Sequence, residues 1–207
     1  MQRTGTITCK TKETDIAVTL TLDGYGMGEI DTPIPFFTHM LTNFARHGLF
    51  DLKLLAKGDV DVDLHHTVED TGLRLGEAFK AALGDASGIR RCASSSVPMM
   101  DSMASVVVDI SNRPYLRFDA SGAASAKKKI CAAKGGSIDD AFDLDLTKEF
   151  LKALSNSAGL DLHVTLHYGE DVHHSIEAIF KALGRALAMA VLKDDRIKGV
   201  MSTKGRL

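Results

Sequence analysis

The sequence lacks closely spaced cysteine pairs, long apolar runs and a strong net charge. Its three cysteines, Cys9, Cys92 and Cys131, form no C-x-x-C pair, which argues against a disulfide framework and favours a reducing compartment. No apolar run approaches the ~18 residues of a transmembrane helix, and the start MQRTGTITCKTKETD lacks the apolar segment of a secretory signal. The formal net charge of -2 gives no attraction to nucleic acid or to an anionic membrane. We therefore expect a cytoplasmic protein that binds neither.

What is present is a chain of ordinary globular composition with regularly spaced apolar residues. Its 207 residues are 44% hydrophobic and 25% charged, enough to bury a sizeable core. Alternation over 4–23 predicts an antiparallel strand pair with a hairpin turn at Asp23-Gly24, and the composition of 120–137 predicts a flexible loop. The remaining predicted elements are a helix from Phe36 to His47, a strand over 49–56, a helix over 65–83, strands over 105–109 and 115–118, a helix over 150–158, a strand over 160–167 and a helix over 174–192.

The second half of the chain repeats the first. DLKL at 51–54 matches DLHV at 161–164, each directly after a predicted helix end. HHTVE at 65–69 then follows the first segment and HHSIE at 173–177 follows the second. Two copies of H-H-x-x-E at corresponding places indicate an internal duplication. We predict one domain spanning 1–207, made of half-units of about 1–90 and 91–200.

The repeated H-H-x-x-E motif is predicted to bind metal ions. In each copy the second histidine and the glutamate are three residues apart and share a helix face, whereas the first histidine points elsewhere. If the half-units pack around a pseudo-two-fold axis, each first histidine reaches the metal of the other unit. Alignment of the repeats pairs His39 with Glu149 and so supplies a fourth ligand to each site. The predicted sites are His39, His66, Glu69 and His173 for one metal, and His65, Glu149, His174 and Glu177 for the other.

Only the duplication favours metal binding, because a single H-H-x-x-E is more often a polar helix start. Imidazole with carboxylate and without thiolate suits Mn(II), Fe(II), Ni(II) or Zn(II). Three histidines are predicted to lie outside the sites. His47 ends a helix, where a cation meets the helix dipole favourably, and His163 and His167 alternate with apolar residues in a strand.

A group of cationic and hydroxyl side chains is predicted to bind an anion. Arginine forks, a lysine, a hydroxyl and backbone amides beside glycine together suit a phosphate monoester. Taken singly, each of these residues is more often a surface charge. The candidates are Arg91, Arg113, Lys181, and the sequence Ser202-Thr203-Lys204-Gly205.

Linked motifs along nearly the whole chain closely resemble the imidazoleglycerol-phosphate dehydratase family. They include RHGLFDL, KGDVDVDLHHTVEDTG, SGIRR, HHSIEA, FKALGRAL and STKG. The resemblance implies an internally duplicated two-layer α/β sandwich of two fused βαβ-type half-units, with sheets on one side and helices on the other. It also implies two Mn(II) ions per subunit, placed where subunits meet in a homo-oligomer of 24 subunits.

The reaction implied by the resemblance is dehydration of D-erythro-imidazole glycerol phosphate to imidazole acetol phosphate in histidine biosynthesis. The substrate would be bound to the two metals as imidazolate, which expels the hydroxyl group before a base removes a carbon-bound proton. Carried onto this chain, the substrate contacts are Glu13, Arg91, Arg113, Lys181, Ser202 and Lys204. Glu13 is the candidate general base, and the candidate catalytic residues are Glu13, Glu69 and Glu177.

The chain differs from the family pattern at several positions, and these differences keep two other functions open. Glu149 stands at a usual histidine, Thr38 at an aspartate and Asn112 at a glycine, while Met100-Asp101 replaces Asp-Glu. One alternative is a di-metal phosphoesterase, which would hydrolyse the phosphate. The other is a non-catalytic metal-binding shell protein, which would keep the sites and the assembly without turnover.

Overall fold

The computed structural model describes residues 2–122, 130–131 and 141–206 as ten strands and four helices. The predicted loop over 120–137 lies mostly outside the described residues. In chain order the elements are β1 (Thr4–Lys10), β2 (Thr14–Thr21), β3 (Gly28–Asp31), α1 (Pro35–Gly48), β4 (Asp51–Gly58), α2 (His65–Leu83), β5 (Cys92–Met99), β6 (Ser102–Ile110), β7 (Tyr115–Asp119), β8 (Ile130–Cys131), β9 (Ala141–Phe142), α3 (Leu144–Ala158), β10 (Leu160–Tyr168) and α4 (Val172–Val191).

The two halves have the same sheet topology. The first sheet has the strand order β1-β2-β4-β3, and the second has β5-β6-β10-β7. In each sheet three strands are antiparallel and the outer strand, β3 or β7, is parallel to its neighbour. The predicted duplication and fold class are therefore confirmed, with β10 as the equivalent of β4 and α4 as the equivalent of α2.

Helices from different halves pack against each other, α2 on α3 and α1 on α4. Two repeat-related glycines allow these close crossings. A Cβ at Gly76 would lie 2.9 Å from both the Leu154 carbonyl oxygen and the Ala158 nitrogen. At Gly184 it would lie 3.0 Å from the Gly48 nitrogen and still closer to the Phe44 carbonyl oxygen. Each helix also covers its own sheet, so a continuous apolar core runs through both halves.

Most predicted elements are confirmed, and the errors lie in short strands and turns. The helix over 65–83 has the predicted bounds. The predicted hairpin turn at Asp23-Gly24 is wrong, because the turn that joins β1 to β2 lies at residues 11–13. The strands β3 and β5 were not predicted. β3 has only four residues, and β5 is rich in serine and half-exposed, so neither has an apolar pattern.

In the described part of the chain, none of the helices is both long and apolar enough to span a membrane.

Candidate metal and phosphate sites

One cluster of potential metal ligands joins α1 to α4, and we call it the α1–α4 cluster. It contains His39, His173 and Glu177, whose ligand atoms all lie within 4.8 Å of one another. The Nε2 atoms of His173 and His39 lie 3.1 Å and 3.6 Å from Glu177 Oε2. Lys181 Nζ lies 2.6 Å from the other carboxylate oxygen. Burial opposes ionisation of Glu177, but Lys181 and the two histidines hold its pKa below the ordinary value.

The matching α2–α3 cluster contains His65, Glu69 and Glu149, again with ligand atoms within 4.8 Å of one another. His65 Nε2 lies 3.4 Å from Glu69 Oε2. Glu149 comes from α3 as His39 comes from α1, which agrees with the alignment of the repeats. Lys152 Nζ lies 3.1 Å from Glu149 Oε2. All three potential ligands are half-buried, whereas Glu177 in the other cluster is buried.

The grouping of ligands predicted from the sequence differs from the one observed within the chain. Each glutamate is paired with the first histidine of its motif, four residues before it, and not with the second. Both spacings are compatible with one helix face, but residues four apart are separated by about 40° around the axis and residues three apart by about 60°. The second histidines, His66 and His174, are also held away by other carboxylates.

The Nδ1 atoms of His66 and His174 each form a hydrogen bond with an aspartate that lies outside their helix. His174 Nδ1 lies 2.7 Å from Asp101 Oδ1, and His66 Nδ1 lies 3.1 Å from Asp59 Oδ2. The bond to Asp59 raises the pKa of His66, and the charge of nearby Glu13 adds to this effect. The bond to His174 lowers the pKa of Asp101. Sequence reasoning missed both aspartates, since neither belongs to the helical motif and only the folded strands bring them near it.

The donor chemistry of both clusters fits a divalent cation. Imidazole nitrogen and carboxylate oxygen bind such ions at about 2.0–2.2 Å, so the ligands of one ion are roughly 3–4.4 Å apart. In each cluster the potential ligand atoms lie within 4.8 Å of one another, which is close to this range. Each cluster offers three ligands, fewer than Mn(II) usually takes. His66 and His174 belong to neither cluster within the chain.

The three histidines predicted to lie outside the metal sites belong to neither of the two clusters. His163 Nε2 lies 3.1 Å from Asp161 Oδ1, two residues earlier on the same strand. His167 Nε2 lies 2.6 Å from Ser105 Oγ on the neighbouring strand. His47 is in the last turn of α1, where burial and then the charges of Lys181 and Arg185 lower its pKa.

Five of the predicted phosphate-binding residues line one open cavity of about 720 Å³. Arg91 forms a bidentate ion pair with Asp109, at 2.6 and 2.7 Å, and donates to the Met201 carbonyl oxygen at 2.7 Å. It therefore holds the carboxy-terminal segment in place. Arg206 also lines the cavity and was not predicted. The lining residues that bear cations or hydroxyls are Arg91, Ser111, Arg113, Ser202, Thr203, Lys204 and Arg206.

Lys181 and Glu13 lie apart from this cavity. Lys181 belongs to the α1–α4 cluster through Glu177. Glu13 is exposed in the β1–β2 turn, where its backbone N–H donates to Thr11 Oγ1 at 3.1 Å. It lines a shallow groove together with Lys10, Lys57 and Asp59. Within one chain, the residues of the predicted substrate site therefore lie in three separate regions: the cavity, the α1–α4 cluster and the groove at the β1–β2 turn.

Three positions that differ from the expected family pattern have distinct local surroundings. Asn112 has a left-handed backbone, φ 54°, which asparagine tolerates better than most residues, and its Oδ1 accepts from Lys80 Nζ at 2.9 Å. Thr38 bonds Thr32 at the start of α1, with 2.9 Å between the hydroxyl oxygens. Met100 is exposed at the β5–β6 turn, and the remaining acid there, Asp101, is the partner of His174.

Comparison with known proteins gives one consistent family. The family model described as imidazoleglycerol-phosphate dehydratase matches residues 32–187. A protein of that name from Geobacter metallireducens is 51% identical over 207 residues, covering all of both chains. Another from Bacillus subtilis is 52% identical over 198 residues, covering 96% of each chain.

Solved structures with the same name are similar in fold. The imidazoleglycerol-phosphate dehydratase of Staphylococcus aureus superposes with a TM-score of 0.77 at 33% identity, covering 92% of this chain and 99% of that one. The enzyme of Pyrococcus furiosus, solved in complex with (S)-C348, has a TM-score of 0.77 at 36% identity, covering 97% of this chain and 100% of that one.

Proposed function

Because the chain belongs to the imidazoleglycerol-phosphate dehydratase family, a family of hydro-lyases, we propose that it converts D-erythro-imidazole glycerol phosphate to imidazole acetol phosphate. The observation that carries this proposal is the pair of repeat-related ligand clusters. Two equivalent cation sites suit a ring with two nitrogens, and the separate cationic cavity suits a phosphate group at the other end of the substrate.

We propose Mn(II) as the metal, with two ions per subunit. When bound, the ions would act as Lewis acids that favour the deprotonated imidazolate form of the substrate ring. The mixed nitrogen and oxygen ligands support a divalent metal of this class but do not select among Mn(II), Fe(II), Ni(II) and Zn(II). Glu69 and Glu177 would hold the ions through carboxylate oxygens, and Glu149 would be a further ligand.

The remaining chemistry requires loss of the C3 hydroxyl and of the proton at C2. The hydroxide and the proton together amount to one water, and the enol so formed becomes the ketone. Glu13 is the proposed base for the C2 proton, since it is exposed and lines the same groove as Asp59, the hydrogen-bond partner of His66. Arg113, Ser202 and Lys204 would bind the phosphate and so fix the distance between the reacting carbons and the base.

We further propose that the working site is shared between subunits. Support comes from the division of Glu13, the clusters and the cationic cavity among separate regions of one chain. Support also comes from His66 and His174, which belong to neither cluster within the chain. An assembly of 24 subunits stays a prediction, to be checked by light scattering before and after chelation, and a cytoplasmic location stays a prediction as well.

The alternatives are separated by their products. A di-metal phosphoesterase would release inorganic phosphate, and a shell protein would bind metal without turnover. We expect Mn(II)-loaded protein to form an enolisable ketone, read by ultraviolet absorbance, with no phosphate release. Complementation of a dehydratase-deficient histidine auxotroph checks the same reaction in cells. Absence of turnover with any divalent metal, in folded protein, would rule out the proposal.

A further inference from the structure

The two second histidines of the repeated motif are held in the same way by different parts of the chain. Asp101 lies in the β5–β6 turn, and Asp59 directly follows β4. Both bind the Nδ1 atom of their histidine, at 2.7 Å for His174 and 3.1 Å for His66. In each case Nε2 is left as the ring nitrogen not engaged by the aspartate.

These two aspartates are not copies of each other. Asp51 and Asp161 match in the repeats, so Asp59 corresponds to Gly169. On the neighbouring strands Thr21 pairs with Asp51 and Asp109 pairs with Asp161. Counting back along β2 and β6, the equivalent of Asp101 is Glu13. Duplication of an ancestral contact therefore does not account for the two aspartate–histidine pairs, which reach the same geometry from different positions.

Local stability accounts poorly for the contact made by Asp59. Asp59 Oδ1 is buried and has no hydrogen-bond partner among the described residues, and an unpaired buried carboxylate oxygen destabilises a fold. Asp101 is bonded more fully, since its Oδ2 accepts from the Asp171 N–H at 3.0 Å. Asp171 in turn caps α4 by accepting from the backbone N–H of His174 at 3.1 Å.

A carboxylate at Nδ1 has a known effect on histidine as a ligand. It favours the tautomer with the proton on Nδ1, fixes the ring orientation and makes Nε2 a better metal ligand. The exposed pair of His163 and Asp161 provides a contrast, because there the carboxylate binds Nε2 itself, at 3.1 Å. There the carboxylate occupies Nε2, the ring nitrogen that Asp59 and Asp101 do not contact.

We propose that Asp59 and Asp101 are positioning residues that present Nε2 of His66 and His174 to the two proposed metal ions. This inference rests on the proposed function, and it adds the two residues that orient the histidine ligands. The histidines remain the ligands, and the aspartates act only through them.

The test is titration of the full-length protein with Mn(II), followed by calorimetry and by the electron paramagnetic resonance of free Mn(II). Wild type is compared with Asp59→Ala, Asp101→Ala and the matched control Asp161→Ala. We expect each of the first two variants to bind one of two ions about 10–100-fold more weakly, with the control unchanged. Unaltered binding of both ions by Asp59→Ala and Asp101→Ala would overturn the proposal.

Further variants separate positioning from folding and from the reaction itself. Asp101→Asn and Asp59→Asn keep the side-chain shape but lose the charge, so they test the proposal if an alanine variant fails to fold. Asp101→Glu should restore part of the lost affinity, which a merely structural contact of fixed length would not do. If wild type binds two ions, the aspartate variants weaken one, and no ketone forms, the proposed reaction fails while the positioning role stands.

Discussion

The α1–α4 and α2–α3 clusters occupy equivalent places in the two halves but differ in their donors. The first has two histidines and a buried glutamate, and the second has one histidine and two half-buried carboxylates. Each contains a lysine paired with one carboxylate, Lys181 with Glu177 and Lys152 with Glu149. Duplication has thus preserved the geometry of the sites while their chemistry diverged. We expect the nitrogen-rich cluster to prefer borderline metals such as Zn(II) more strongly than the carboxylate-rich cluster does.

Removing the glutamate of each motif tests this comparison most strongly. Glu177→Gln and Glu69→Gln should each lose one metal ion and lower the proposed activity by about 100-fold or more, since each removes a ligand. Metal content by elemental analysis and steady-state kinetics check both effects. If either variant keeps two ions, that glutamate is not a ligand.

The same two variants should differ in stability. Glu177→Gln leaves the nearly buried Lys181 ammonium without its 2.6 Å partner, so we expect a loss of ~1–3 kcal/mol in unfolding free energy. Glu69 is half-exposed, and its substitution should change stability by no more than ~0.5 kcal/mol. Chemical denaturation of the metal-free proteins measures both, and equal losses would contradict the difference in burial.

The helix crossings provide a second pair of equivalent positions. Gly76→Ala and Gly184→Ala each place a Cβ against backbone atoms of the opposing helix, and overpacking of this kind costs about 1–3 kcal/mol. Gly28→Ala is the control, because the nearest atom to a Cβ there is 3.4 Å away on a flexible side chain. Thermal melting should show losses at the first two positions and little change at the control.

Glu149→His makes the α2–α3 cluster resemble the α1–α4 cluster. The variant should bind Zn(II) about tenfold more tightly at that site, or ~1.4 kcal/mol, while the other site is unaffected. Competition titrations of Zn(II) against Mn(II) would measure this change. A sharp loss of affinity would instead show that Glu149 has a role other than metal binding.

The smallest expected effect is that of Lys152. Lys152 is exposed in its ion pair with the half-buried Glu149, and ion pairs at the surface contribute roughly 0–1 kcal/mol. Lys152→Gln should therefore leave stability nearly unchanged and slightly favour cation binding by removing a positive charge. Lys181→Gln, by contrast, removes the cationic partner of the buried Glu177 and should lower the free energy of unfolding. Denaturation curves of the two variants measure this difference in stability.

Much of this architecture could be predicted from the sequence because the repeat fixes equivalent positions. The equivalence of His39 and Glu149 follows from it, whereas the bounds of α2 follow from the spacing of its apolar residues and from Gly84. The pairing of histidine and glutamate within one chain does not follow from the repeat, because helix periodicity allows either histidine of the motif to face the glutamate. The second histidine of each motif instead contacts Asp59 or Asp101, which follow strands outside the motif. The ion pair between Arg91 and Asp109 could not be predicted from the sequence either, because the two residues are eighteen positions apart.

The most direct test of the central claim is one assay that measures both products. Mn(II)-loaded protein is incubated with imidazole glycerol phosphate, and ketone formation and inorganic phosphate are followed in the same sample, with a chelated sample as the control. We predict ketone formation without phosphate release, lost on chelation and restored by Mn(II). Phosphate release without ketone, or no turnover by folded protein with two bound ions, would contradict the account.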